Sequence, residues 1–206
     1  MKKFELTSEF ITNISGTKLF RIKALVEFGN IKAGELGGYI EKEENLDQDG
    51  NAWVFDNARV YGDAKVCGDA KVYGDAKVCG NAKVCGDAEV CGNARVCGNA
   101  WVCGDAWVYG DAEVCGNAKV CGDAEVCGNA KVCGDADYAY AHGFGSEYRT
   151  TTFFRLRNGD VGVRCGCFYG TLQEFRDKVR ATHKETKKAK EYLMLADLME
   201  LRFLKE

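Results

Sequence analysis

The segment from Gly50 to about Ala139 is built on one six-residue unit: Ala, any residue, Val, any residue, Gly, then Asp or Asn. Ala recurs at every step from Ala52 to Ala136 and Val from Val54 to Val132. Gly recurs from Gly62 to Gly134, with Asp56 the one substitution in its column. Fifteen units follow one another without an insertion. A short unbroken period constrains a fold strongly, because every unit must take the same structure and pack on its neighbours.

Ala and Val stand two apart, so in a strand both point to one side, and the residues beside Val point to the other. Gly followed by Asp or Asn supplies a corner, since these residues tolerate the left-handed conformation that a tight turn needs. Each unit is therefore a short strand plus a turn. One such strand cannot bury a face alone, but stacked coils bury a continuous column. Each buried Val contributes roughly 1.5–3 kcal/mol.

Units such as Val66-Cys-Gly-Asp-Ala-Lys71 resemble the hexapeptide repeat of left-handed parallel β-helices. The resemblance implies a mainly β solenoid with three hexapeptides per triangular coil. Five coils, at ~4.8 Å each, would make a prism roughly 24 Å long. The preceding stretch from Ile31 to Leu46 carries Ile40 and Leu46 six apart and reads as an irregular first coil. Its Lys32-Ala-Gly34, Gly37-Gly-Tyr-Ile40 and Asn45-Leu46, running into Asn51-Ala-Trp-Val-Phe55, are similar to the opening of YdcK-like hexapeptide proteins. That likeness implies a fold and no activity.

The 206 residues suit one solenoid with two ends. No apolar run reaches the ~18 residues of a membrane span, and the start, Met1-Lys-Lys-Phe-Glu-Leu-Thr7, lacks the apolar stretch of a signal peptide. The expectation is a cytoplasmic protein. The net charge of −3 predicts no partner by itself. Twelve cysteines would suggest a disulfide scaffold in a small secreted chain, but ten of them occupy the position after Val in the repeat. Without an export signal, free thiols packing as small apolar side chains are expected.

With three units per coil, residues eighteen apart stack, and the repeat becomes a surface map. One thiol ladder is Cys67, Cys85, Cys103 and Cys121; a second is Cys79, Cys97, Cys115 and Cys133, preceded by Tyr61. The third column mixes Phe55, Tyr73, Cys91, Tyr109 and Cys127. The outward positions form one face of Arg59, Lys77, Arg95, Glu113 and Lys131. Another carries Lys65, Lys83, Trp101, Lys119 and Asp137, and a third Trp53, Lys71, Glu89, Trp107 and Glu125. Lys and Arg on a strand face are ordinarily a solvated guard against aggregation. Trp101 and Trp107 point instead to an interface or a stacked ligand. At one corner Asp69, Asp87, Asp105 and Asp123 stack. A calcium ion between layers would relieve their repulsion, whereas carboxylates bonded to turn amides need no metal.

Residues 1–30 alternate in part, as in Lys18-Leu-Phe-Arg-Ile-Lys-Ala-Leu-Val-Glu-Phe28, and read as an N-terminal β cap on a β-helix spanning 31–139. Residues 140–206 read as a C-terminal α+β module. In it, Asn158-Gly159 marks a hairpin. Thr171-Leu-Gln-Glu174 opens a helix to about Ala181, and a second helix runs from Lys184 to Phe203. The apolar end of that last helix must pack on the hairpin, on the prism or on another subunit. Proteins with this repeat are commonly trimers, so a homo-oligomer, trimer or dimer, is expected.

Hexapeptide β-helices include acyltransferases that use a histidine base and a loop extruded from a coil. Here no loop interrupts the repeat, and the two histidines, His142 and His183, lie outside it. His142 is the one candidate base. Cys165 and Cys167 alternate in an expected strand, but no second ligand pair completes a zinc site. The reading is a non-enzymatic binding or scaffold protein without a cofactor, acting on a protein or a small anionic ligand. Its surface is assigned to Lys65, Lys83, Trp101, Lys119, Arg59, Lys77, Arg95 and Trp107. The regular repeat and small caps are in the style of a phage or mobile-element protein that binds a host protein or sequesters a nucleotide-type ligand. The alternative is an acyltransferase-like enzyme using His142.

Overall fold

The computed structural model describes residues 2–203, so the last three residues of the C-terminal module fall outside the description. Three longer strands come first: β1 (Phe4–Thr12), β2 (Lys18–Ala24) and β3 (Leu36–Ile40). Fourteen two-residue strands follow, β4 to β17, at six-residue intervals from Trp53–Val54 to Lys131–Val132. Every third one pairs in parallel, in register at a separation of eighteen residues, as in Lys65↔Lys83 and Lys83↔Trp101. This makes three sheets around one axis, a parallel β-solenoid. Face I carries β4, β7, β10, β13 and β16; face II carries β5, β8, β11, β14 and β17; face III carries β6, β9, β12 and β15.

The interior is the column that the repeat implies. Every Ala from Ala52 to Ala130 and every Val from Val54 to Val132 is fully buried. At the corners, glycines such as Gly86 take a φ of +73°, and a Cβ there would lie 3.0 Å from the amide nitrogen of Gly104 in the next coil. Asp56 holds the same left-handed conformation at φ 50°, and its carboxylate accepts from the Gly74 amide at 3.2 Å.

The ladder is polar: each coil's N–H groups donate upward, as in Lys71 N–H to the Ala88 carbonyl at 3.0 Å. The lowest coil therefore ends in bare carbonyls and the highest in bare amides, which must find partners. Donors close the lower end. The irregular first coil gives Tyr39 N–H to Ala58 and Asp47 N–H to Val66, both at 2.9 Å. Fully buried Asn45 gives its Nδ2 to the Gly62 and Ala64 carbonyls at 3.0 and 2.8 Å. Lys3 Nζ reaches the carbonyls of Asp49, Gly50 and Ala52 at 3.1–3.3 Å, and burial lowers its pKa. Acceptors close the upper end: Asp135 takes Lys119 N–H, Asp137 takes Cys133 and Gly134 N–H, and Thr152 Oγ1 takes Glu125 N–H, at 2.9–3.1 Å.

The N-terminal strands form an antiparallel run, β1–β2–β3, whose last member joins face II by pairing parallel with β5. Ile40 stacks on Val60, and Leu46 bridges to Val66, as an irregular first coil requires. Phe4 and Phe28 close over Trp53, with ring centroids 6.2 and 5.3 Å away. Trp53, expected on an outward face, is in fact fully buried because this cap covers it.

The fifteenth unit does not form a strand. Its Val position is Tyr138, too large for the interior column; Asp135–Asp137 becomes a 3-10 turn, and β18 (Tyr138–Ala141) pairs antiparallel with β19 (Thr151–Arg155). The Asn158-Gly159 turn joins β19 to β20 (Val161–Cys165), and β21 (Phe168–Thr171) completes the sheet. Cys165 ends β20 and Cys167 lies in the following turn, so the two do not share a strand as expected. Thr171 caps α1 (Leu172–His183), its Oγ1 accepting Glu174 N–H at 3.3 Å while the Glu174 carboxylate accepts Thr171 N–H at 2.7 Å. The second helix, α2 (Lys187–Phe203), begins three residues later than expected, because His183–Thr186 turns between the helices. β19 serves two cores by strand alternation: Phe154 enters the solenoid, and Phe153 packs with Phe175 and Tyr192 under the helices.

Candidate binding surface

The surface residues singled out by the repeat are distributed over three faces, so they do not form one site. Arg59, Lys77 and Arg95 stack on face II, with Glu113 and Lys131 above them. Lys65, Lys83, Trp101 and Lys119 stack on face III. Trp107 stands alone with charged neighbours on face I, between Glu89 and Glu125. Asp137, assigned to face III by its spacing, is drawn into the 3-10 turn and pairs with Arg155 at 3.4 Å.

Face I is internally satisfied. Lys71 pairs with Glu89 at 3.1 Å, and Tyr73 donates to the same carboxylate at 2.8 Å. Arg164 from the C-terminal sheet pairs with Glu125 at 2.8 Å, and Tyr109 donates to it at 3.2 Å. The Trp107 ring lies on Tyr109 at 4.5 Å, and its indole N–H donates to Cys91 Sγ at 3.3 Å. Little on this face is left to recognise a charged partner.

Face III is different. Lys65, Lys83, Trp101 and Lys119 are all exposed, in one straight line across four coils. Among the described residues no carboxylate lies within ion-pair distance of the three lysines. Trp101 keeps 40% of its surface in water, unusual for a side chain with so much apolar area to hide. Its orientation is held from both sides: the indole N–H donates to Cys85 Sγ at 2.8 Å, and Lys119 Nζ sits 4.6 Å from the ring centroid. The geometry is an aromatic side chain with two contacts, set between lysines that make no ion pair, in one line on a β-sheet face.

The acidic corner does not gather into a metal site. Asp69, Asp87, Asp105 and Asp123 are exposed, and Asp69 accepts the Asn51 amide at 3.0 Å, as a solvated turn carboxylate does. Among the described residues no three His, Cys, Asp or Glu side chains converge where an ion would bind. The Asn corner is instead a side-chain ladder: Asn81 donates to Asn99, and Asn99 to Asn117, each at 3.0 Å.

His142 lies after β18, exposed, with Nδ1 3.0 Å from Thr150 Oγ1 and 3.9 Å from the Asp123 carboxylate. His183 ends α1, its ring 5.7 Å from Tyr192, and lines a small cavity of about 170 Å³ with Cys165, Cys167 and Phe175. On α2, Tyr192, Ala196, Met199 and Phe203 are buried in the module, whereas Met194, Leu198 and Leu201 form an exposed apolar stripe at helical spacing.

The cysteine ladders stack as the eighteen-residue spacing implies, but the expectation of free thiols needs correction. Cys103–Cys121 and Cys115–Cys133 are disulfides. The parallel register brings their Cα atoms to 4.7 and 4.4 Å, within bonding reach for stacked cysteines. The other cysteines are free.

A family model described as the YdcK beta-solenoid repeat matches residues 88–104. Over 63 residues the chain is 38% identical to a protein of Escherichia coli (strain K12) named uncharacterized acetyltransferase YdcK. That stretch is 27% of this chain and 19% of that protein, so the match spans about a fifth of the relative's length. These matches and the coiled architecture show a parallel β-solenoid whose repeat is similar to that of YdcK. No described helix is long and apolar enough to cross a membrane.

Proposed function

We propose that this YdcK-like solenoid is a non-enzymatic binding protein that presents face III to an acidic protein partner. The observation that carries the reading is Trp101, exposed and fixed in a line of three unpaired lysines. A line of contacts running over four coils favours a macromolecule over a small ligand, because small ligands are held in concave sites that bury most of their surface. Unpaired lysines steer an acidic surface toward the face, and an aromatic anchor slows its departure. The test is binding of an acidic polypeptide, polyglutamate, by the wild type and by a Lys83→Glu, Trp101→Ala double variant. A salt-dependent complex weakened at least tenfold by the double variant supports the reading; equal binding by both proteins removes it.

A second reading draws on the relative's name and on the nearness of His142 to Asp123. A carboxylate beside an imidazole orients it as a base. If the protein transfers acetyl groups, His142→Ala abolishes acetyl-coenzyme A turnover; turnover absent in the wild type, or equal in both, ends this reading. For the oligomeric state, the Met194–Leu198–Leu201 stripe is the surface we assign to self-association. Leu198→Glu then shifts sedimentation from dimer or trimer to monomer, and a wild type that is already monomeric contradicts the assignment.

A further inference from the structure

Eight cysteines stand in two columns along the coils, and of these only Cys85, whose Sγ accepts the Trp101 indole N–H, enters the binding reading. Each column repeats one pattern. The upper two members are a disulfide, Cys103–Cys121 or Cys115–Cys133, and the lower two, Cys67 with Cys85 or Cys79 with Cys97, are free thiols. The lower pairs sit in the same hydrogen-bonded register as the upper ones. Cys79 N–H donates to Val96 and Cys97 N–H to Val114, both at 2.9 Å, and Cys115 N–H donates to Val132 at 2.7 Å. The backbone that brings Cys115 within bonding reach of Cys133 therefore presents Cys79 to Cys97 in the same way. All four lower thiols are partly exposed, so a small molecule can reach them.

We propose that the two columns are a thiol–disulfide exchange site for small disulfides, which react first at the Cys79–Cys97 pair. The Cys79 thiolate attacks one sulfur of the small disulfide, whose S–S bond breaks and whose other half leaves as a thiolate that takes up a proton. Cys97, losing its proton, then attacks the mixed disulfide at Cys79 and expels the second half. Two protein sulfurs are oxidised, and one small disulfide is reduced to two thiols. The Cys67–Cys85 pair closes by the same two steps, so the filled solenoid carries four rungs, each joining residues eighteen apart.

The surroundings favour Cys79 as the attacking sulfur. Its pKa is pushed down to about 6, chiefly by the Cys97 thiol against the effect of burial, with help from the Tyr61 hydroxyl and from Arg95 and Lys77. Cys97 is shifted upward by Cys79, by burial and by Glu113 beyond it, against the opposing effect of Arg95, so one thiol of the pair ionises early and the other late. A thiolate, rather than a thiol, is the nucleophile in exchange.

The experiment reduces the full chain, removes the reductant, adds oxidised glutathione, then quenches with acid, alkylates and maps the peptides by mass spectrometry. The expected products are linkages 79–97, 67–85, 103–121 and 115–133, with no lasting glutathione adduct on these cysteines. Thiols that remain free, adducts that persist, or linkages between residues not eighteen apart overturn the proposal. A Cys97→Ser variant is expected to stop at a mixed disulfide on Cys79, and an unmodified Cys79 contradicts the assigned order. The pH profile adds a test that mere packing would not pass. From pH 8 to pH 7 the wild-type Cys79 rate should stay nearly constant, while a thiol of ordinary pKa slows about eightfold. An eightfold fall at Cys79 also overturns the proposal.

Discussion

Asp56 shows at a single position what the corner column demands. It is the one non-glycine in that column, and it keeps the left-handed backbone because its carboxylate takes an amide of the next coil. An alanine has no such compensation. Gly86→Ala should cost about 1–3 kcal/mol, from the left-handed strain and from the close Gly104 backbone. Gly86→Asp should cost less, and urea unfolding of both variants checks the order. The glycine rule was legible in the repeat, as was the exception. Asn45 was not. Its work is to satisfy two carbonyls left bare by a coil with nothing beneath it, and such bare edges exist only once the solenoid has formed. Asn45→Leu should destabilise the protein by about 3 kcal/mol, since two buried acceptors lose their donor. A loss within a few tenths would mean that the first coil closes the end without it.

Among the elements, the two-residue strands were readable because one period repeats without fault, and the Thr171–Glu174 cap because it is a local pairing. The sheet of the C-terminal module was only half readable. Asn158-Gly159 announced β19 and β20, but β18 and β21 depend on tertiary pairing that Tyr138–Ala141 and Phe168–Thr171 do not advertise locally. The helix cap predicts a pH effect. The Thr171 amide and hydroxyl hold the Glu174 carboxyl below its ordinary value. A depressed carboxyl stabilises the fold fully above the ordinary carboxylate range and loses that contribution as pH falls through the folded pKa. Urea unfolding of the wild type should therefore weaken more between pH 5.5 and pH 3 than that of Glu174→Gln. Parallel losses in the two proteins would show that the cap does not titrate with folding.

For the whole molecule, the columns of the surface map were set by the eighteen-residue spacing, yet the value of each column was not. Spacing cannot tell that an N-terminal cap buries Trp53, or that Arg164 arrives from another element to neutralise Glu125. Those two facts separate face I from face III and leave Trp101 as the exposed aromatic among unpaired cations. Tryptophan quenching by acrylamide should accordingly reach Trp101 and Trp107 and spare Trp53, which the Trp53→Phe variant identifies. Equal quenching of all three would place the cap elsewhere.

The most direct test of face III uses a Trp107→Phe variant, in which Trp101 is the one exposed tryptophan. Its fluorescence is followed during titration with polyglutamate at low and moderate salt, with and without Lys83→Glu. The account predicts a saturable change that weakens with salt and is lost with Lys83→Glu. A signal that never changes, or one that Lys83→Glu leaves intact, would contradict face III as the binding surface.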